Sequence, residues 1–102
     1  MEIRFRSKKI EKILTDNRLI QKYYTKEYKG IINRMVELNA VSNLAMISHN
    51  PPPRKHRLTG NLDGYWSVDV SKNFRLIFTS PCSEQDERLI TVIIIEDIID
   101  TH

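Results

Sequence analysis

Trp66-Ser67-Val68-Asp69-Val70-Ser71-Lys72-Asn73-Phe74-Arg75-Leu76-Ile77-Phe78 is the stretch on which the fold turns. Trp66, Val68 and Val70 alternate with Ser67, Asp69 and Ser71. After a tight turn at Lys72-Asn73, Phe74, Leu76 and Phe78 alternate with Arg75 and Ile77. A period of two on both sides of a short polar turn predicts two antiparallel strands. Working outward, Lys55-His56-Arg57-Leu58 reads as a shorter strand ended by Gly60, with a turn through Asn61-Leu62-Asp63-Gly64. On the other side a polar loop from Ser80 to Glu87 precedes Ile90 to Ile95, apolar on both faces. That pattern marks a central strand covered, at least in part, on both sides. The segment from Glu96 to His102 returns to polar residues around Ile98 and Ile99.

Before residue 54 the period is helical, apart from one strand at the start. Met1, Ile3 and Phe5 alternate with Glu2, Arg4 and Arg6, which predicts a half-buried strand. Ser7 suits a helix N-cap, because its hydroxyl can accept from an orphan amide of the first turn. Ile10, Ile13 and Leu14 follow at helical spacing, and Asp16-Asn17 is either a break or a re-cap of a helix continuing through Leu19 and Ile20. A second helix is expected from near Thr25. Tyr24, Tyr28, Ile31, Met35 and Leu38 form one apolar stripe. The tyrosines on it are core residues or base-stacking platforms. Gly30 inside that helix means either close packing or a break. Residues 39–53 are irregular, with Val41, Leu44, Met46 and Ile47 as a short apolar turn. Pro51-Pro52-Pro53 is a stiff connector that ends any helix before it.

Strand, two helices, then antiparallel strands predicts an α+β chain, residues 1–102 forming one domain with helices on one sheet face. The other face is then open for a site. Composition agrees with a globular protein: 40% of the 102 residues are hydrophobic and 28% charged. No apolar run approaches the roughly 20 residues of a membrane span, and the start lacks the apolar core of a signal peptide. Cys82 stands alone in a polar loop, a surface thiol rather than half of a disulfide. A reducing, cytoplasmic compartment is expected. The net charge of +3 is unevenly spread: residues 1–59 carry 13 Lys/Arg against 5 Asp/Glu, and residues 60–102 carry 3 against 8. Such asymmetry fits nucleic-acid binding, and it equally fits a solvated, lysine-rich helix pair.

The candidate chemistry lies at Lys55, His56, Arg57, Lys72, Arg75, Asp100 and His102. His56, His102 and Asp100 lack strong metal-ligand spacing. Neither a phosphate loop nor a nucleophile elbow is present. The set fits phosphodiester cleavage in RNA. That reaction needs a base for the 2′-hydroxyl, an acid for the leaving 5′-oxygen and a cation on the phosphorane oxygens. Imidazole titrates near neutrality and serves either proton-transfer role, and arginine's charged fork suits phosphate. The nucleophile belongs to the RNA, so no metal or other cofactor is expected.

His56-Arg57-Leu58-Thr59-Gly60, Gly64-Tyr65-Trp66-Ser67-Val68, Phe74-Arg75-Leu76-Ile77-Phe78 and Asp100-Thr101-His102 resemble, in that order, the HigB family of toxins in the RelE/ParE superfamily of type II toxin–antitoxin systems. The helical half is similar too, with an Ile-Arg-Phe strand, a lysine-rich helix, Leu38-Asn39-Ala40 and a proline-rich approach to His56. The resemblance implies a RelE-like twisted antiparallel sheet with two N-terminal helices packed on one face. It implies a ribosome-dependent endoribonuclease that cuts mRNA. Its partners would be the ribosome, mRNA and a HigA-like helix-turn-helix antitoxin, with operator DNA reached only through that antitoxin, and no membrane. On the matching positions, His56 would transfer a proton, Arg75 would stabilise phosphate charge, and Asp100 and His102 would position and protonate. Arg54, Lys55, Arg57 and Lys72 would hold the RNA backbone. Thr101 departs from the tyrosine of many members and can neither stack on a base nor share acid–base work well. Two other readings are a gyrase poison of the same superfamily, disfavoured by His56, Arg75 and His102 together, and an inactive antitoxin-binding relative.

Overall fold

The computed structural model describes residues 1–81 and 86–101; Cys82, expected as a surface thiol, and His102 lie outside the described residues. The chain runs β1 (Glu2–Phe5), α1 (Lys8–Leu14), α2 (Asn17–Tyr23), α3 (Tyr28–Ala40), β2 (His56–Arg57), β3 (Trp66–Asp69), β4 (Phe74–Thr79) and β5 (Val92–Asp100). The strands form one sheet in the order β1-β5-β4-β3-β2. Each predicted strand is present, and β5, the run apolar on both faces, has neighbours on both sides.

Local chemistry accounts for the helix boundaries. Ser7 Oγ accepts from Ile10 N–H at 3.2 Å and starts α1. Thr15 Oγ1 donates back to Glu11 O at 2.6 Å, and Asp16 Oδ1 accepts from Arg18 N–H at 2.9 Å. The expected first helix is therefore two short ones, with Asp16 re-capping the second. The longer helix starts at Tyr28, three residues later than expected, because Tyr24 to Glu27 are taken up in a turn closed by Glu27 N–H on Tyr24 O. Its stripe is buried as read: Ile31, Met35 and Leu38 face Val68, Leu76, Phe78, Ile93 and Ile95 from the sheet. Each such side chain contributes roughly 1.5–3 kcal/mol by leaving water. Tyr24 and Tyr28 pack against this core. Burial, reinforced by Asp97 and Glu27, pushes the Tyr24 phenol above its ordinary range.

Gly30 resolves in favour of close packing. A Cβ built there would stand 1.7 Å from the carbonyl oxygen of Val70, so α3 lies directly on the backbone leaving β3. No helix is long and apolar enough to cross a membrane among the described residues.

The sheet departs from the expected pattern in one place. β2, β3, β4 and β5 are antiparallel neighbours, whereas β1 pairs parallel with β5, Ile3 beside Ile93 and Phe5 beside Ile95. Alternation within a strand specifies which face is buried and says nothing about the direction of its neighbour. A bulge gives β5 one extra residue: Ile77 pairs with Asp97 and Phe78 with Ile95, leaving Glu96 between. Glu96 Oε2 accepts from Thr79 Oγ1 at 2.8 Å.

Candidate functional site

Antiparallel partners share a face, and successive residues alternate between faces. His56 pairs with Ser67, and Asp69 with Arg75. These four stand on the side away from the helical core, around Ile77, which is buried without belonging to that core. His56 and Arg75 therefore stand on the sheet face that the helices leave uncovered.

The proline connector delivers Arg54 to the same place. Asp69 N–H donates to Pro53 O at 2.8 Å, and Arg54 N–H to Asn50 O at 3.1 Å. Arg54 has φ +45°, a left-handed conformation disfavoured for a side chain of this size. Its guanidinium grips Asp69 with both prongs, Nε to Oδ2 at 2.6 Å and Nη2 to Oδ1 at 3.0 Å. That hydrogen bonding, against a smaller desolvation effect, raises the guanidinium further above its ordinary range. Arg75 Nε lies 3.9 Å from Asp69 Oδ1. One carboxylate thus holds two arginines, leaving a local charge of one. Behind it, buried Arg34 of α3 donates from Nη1 to the Asp69 carbonyl at 3.3 Å.

His56 completes the cluster. Its Nδ1 is 3.1 Å from Arg54 O. A carbonyl only accepts, so Nδ1 carries the hydrogen and Nε2 is the accepting nitrogen of the neutral ring. Ser67 Oγ, fully buried, lies 3.4 Å from Nδ1 and 3.5 Å from Nε2. An imidazole on the same sheet face as two carboxylate-held arginines can exchange a proton there. Ser67 and the clamping role of Asp69 were missed from sequence. Their signal was present, since both occupy the polar phase of the Trp66–Val70 alternation.

The remaining expected residues are placed otherwise. Lys55 was expected on RNA, but it is 1% exposed. Its Nζ donates to Leu44 O at 2.8 Å and pairs with Glu87. A lysine sealed this way cannot reach a phosphate, and Lys55 leaves the RNA-binding set. Arg57 pairs across from Trp66, on the face opposite His56, with its guanidinium 5.6 Å from the indole centroid. Asp100 pairs with Phe74, while Arg75 pairs with Ile99. The register therefore sets Asp100 on the other face from Arg75 and does not gather the two into one cluster. Lys72 is exposed in the β3–β4 turn. Thr101 pins the end of β5 to that turn, its N–H and Oγ1 both donating to Asn73 O, at 2.7 and 2.9 Å. His102 lies outside the described residues.

Solved structures of similar architecture define the class. A YoeB/ParE toxin from Agrobacterium tumefaciens superposes over 100% of both chains with TM-score 0.57 and 12% identity. YafQ from E. coli matches with TM-score 0.59 and 15% identity, covering 97% of this chain and 91% of its own. A YoeB–YefM complex from Staphylococcus aureus matches with TM-score 0.56 and 20% identity, covering 100% and 97%. At these identities the likeness is one of fold, that of the RelE-like toxins. A search of curated proteins returned no match. The sequence itself matches, over residues 3–92, the HigB-like toxin family, described as RelE-like toxins of the type II toxin–antitoxin system HigB. The chain belongs to that family.

Proposed function

We propose that this toxin is a ribosome-dependent, metal-independent endoribonuclease. The ribose 2′-hydroxyl attacks the adjacent phosphate, the 5′-oxygen leaves, and the nucleotide upstream of the cut retains a 2′,3′-cyclic phosphate. The supporting observation is the sheet face away from the helices, on which His56 meets Ser67 while Arg54 and Arg75 meet Asp69. His56 takes or returns a proton, and Arg75 stabilises the phosphorane oxygens. His102 positions and protonates. Arg54, Arg57 and Lys72 hold the RNA backbone. The ribosome aligns the message, and that orientation supplies much of the rate. A HigA-like helix-turn-helix antitoxin neutralises the toxin in the cytoplasm and mediates its only contact with operator DNA.

The test is primer extension on mRNA from cells expressing the chain. Cuts confined to translated messages are expected; intact mRNA with double-strand DNA breaks would replace this reading with gyrase poisoning. His56→Ala and Arg75→Ala each lower cleavage by about 100-fold while circular dichroism stays unchanged. His102→Ala relieves growth arrest. Full toxicity of the Arg75 and His102 variants sinks the assignment.

A further inference from the structure

Among the described residues one aromatic ring neither builds the core nor rests against a cation. Trp66 and Phe78 are buried in the core, and Phe5, Phe74, Tyr24 and Tyr28 pack against it. Tyr23 stands in a cleft of α1 and α2 rimmed by Lys8, Lys9, Lys12 and Lys22, with Lys22 Nζ 5.6 Å from its ring centroid. The remaining aromatic is Tyr65, which is half-buried. It lies outside the core cluster, and its hydroxyl has no hydrogen-bond partner among the described residues.

Register places this ring. His56 pairs with Ser67 and Arg57 with Trp66. Leu58 N–H donates to Tyr65 O at 2.8 Å, which extends the ladder by one pair. Trp66 belongs to the core, so alternation sets Tyr65 on the other face, with His56 and Ser67. Leu58, opposite Tyr65 on the ladder, is outside the core cluster as well, as that face requires. Tyr65 is then the diagonal neighbour of His56; such neighbours lie roughly 7–8 Å apart, within reach of a large ring. The backbone is tied on both sides of the strand start. Tyr65 N–H donates to Leu62 O at 3.0 Å, and Gly64 takes φ +91°, a conformation open to glycine, to bring the chain round. A ring on so fixed a backbone loses little freedom when something stacks on it.

The same face carries Arg54 and Arg75 through Asp69. Those arginines answer phosphate, and phosphate contacts position a strand without gripping its bases. Single-stranded RNA is held by stacking bases on aromatic side chains beside such cations. A tyrosine that only shielded Leu58 would need bulk and no π face, so leucine would serve in its place. We propose that Tyr65 is the platform on which a base adjoining the scissile phosphate stacks, which fixes how that phosphate is offered to His56. This rests on the nuclease reading of the face and adds to it a residue that touches the substrate.

The probe is a short single-stranded RNA with a fluorescent purine analogue placed at successive positions, titrated into the purified full chain. Stacking on the ring quenches the analogue. Quenching is expected at one position, retained by Tyr65→Phe and lost in Tyr65→Ala and Tyr65→Leu. The last two weaken binding about tenfold, with circular dichroism unchanged. An abasic site at the quenched position costs the native chain the same factor and costs Tyr65→Ala nothing further. Native quenching and affinity in Tyr65→Ala or Tyr65→Leu overturn the proposal. So do Tyr65→Phe failing alongside Tyr65→Ala, an abasic loss that adds to the Tyr65→Ala loss, and the absence of saturable RNA binding. Cleavage is scored separately by primer extension: translated messages cut by a chain whose RNA binding ignores Tyr65 defeat this inference alone.

Discussion

On the open side of the sheet, Arg54 and Arg75 share Asp69, and Lys55 at its edge is sealed against Glu87. On the helical side, four lysines surround an apolar cleft with no carboxylate within 4.0 Å among the described residues. The sequence is most basic before residue 60, and a count of charges treats Lys55 and Lys8 alike. The structure separates them. A paired, preorganised cation presents a fixed geometry to a small anionic group. An unpaired lysine on a flexible stem attracts any large acidic surface and is screened by salt. The two faces thus differ in how their cations are held, fixed by carboxylates on one and carried on free stems on the other.

The sharpest way to break this contrast is Lys55→Ala. It strands the Glu87 carboxylate and the Leu44 carbonyl, and is expected to cost about 3 kcal/mol in urea unfolding. The apolar pair Lys55→Met/Glu87→Leu recovers most of that loss. A cost below about 0.5 kcal/mol, the range of an ordinary surface substitution, would place Lys55 among the free cations. The seam between the two sides is tested by Gly30→Ala, whose new methyl must displace the Val70 carbonyl. About 2 kcal/mol is expected from the same measurement. Asp69→Asn costs about 1 kcal/mol but has a second readout: with the two arginines released, binding of a short RNA steepens in its salt dependence. An unchanged slope would put Arg54 and Arg75 off the RNA path. Lys9→Gln on the helical face shifts stability by less than about 0.5 kcal/mol, in the stabilising direction, because it removes a cation from the start of α1.

Much of the architecture was legible because it rests on local periodicity. The alternation of Trp66–Val70 and Phe74–Phe78 gave β3, β4 and their turn, and the Ile31–Met35–Leu38 stripe gave α3. The direction of β1 was not legible, since Ile3 and Phe5 alternate identically beside a parallel or an antiparallel neighbour. Of the candidate site, His56 and Arg75 were legible as residues of two separate strands, and the register that sets them on a common face is a property of the strand pairs. Lys55 misled because its partner, Glu87, comes from a distant turn, and no feature of Lys-His-Arg announces burial. Asp100 misled because the one-residue bulge around Glu96 and the pairing of Phe74 decide its face, and both are properties of two strands together.

The parallel pairing of β1 with β5 also has a consequence in time. Among the described residues β1, the first of the five strands in chain order, has as its sheet neighbour β5, the last of them. Until β5 has emerged, β1 has no ladder to join and the sheet is missing the strand that joins β1 to β4. Contacts so distant in sequence are slow to form because the loop between them must close first. The sheet that carries His56 and Arg75 is therefore completed only once β5 has been made.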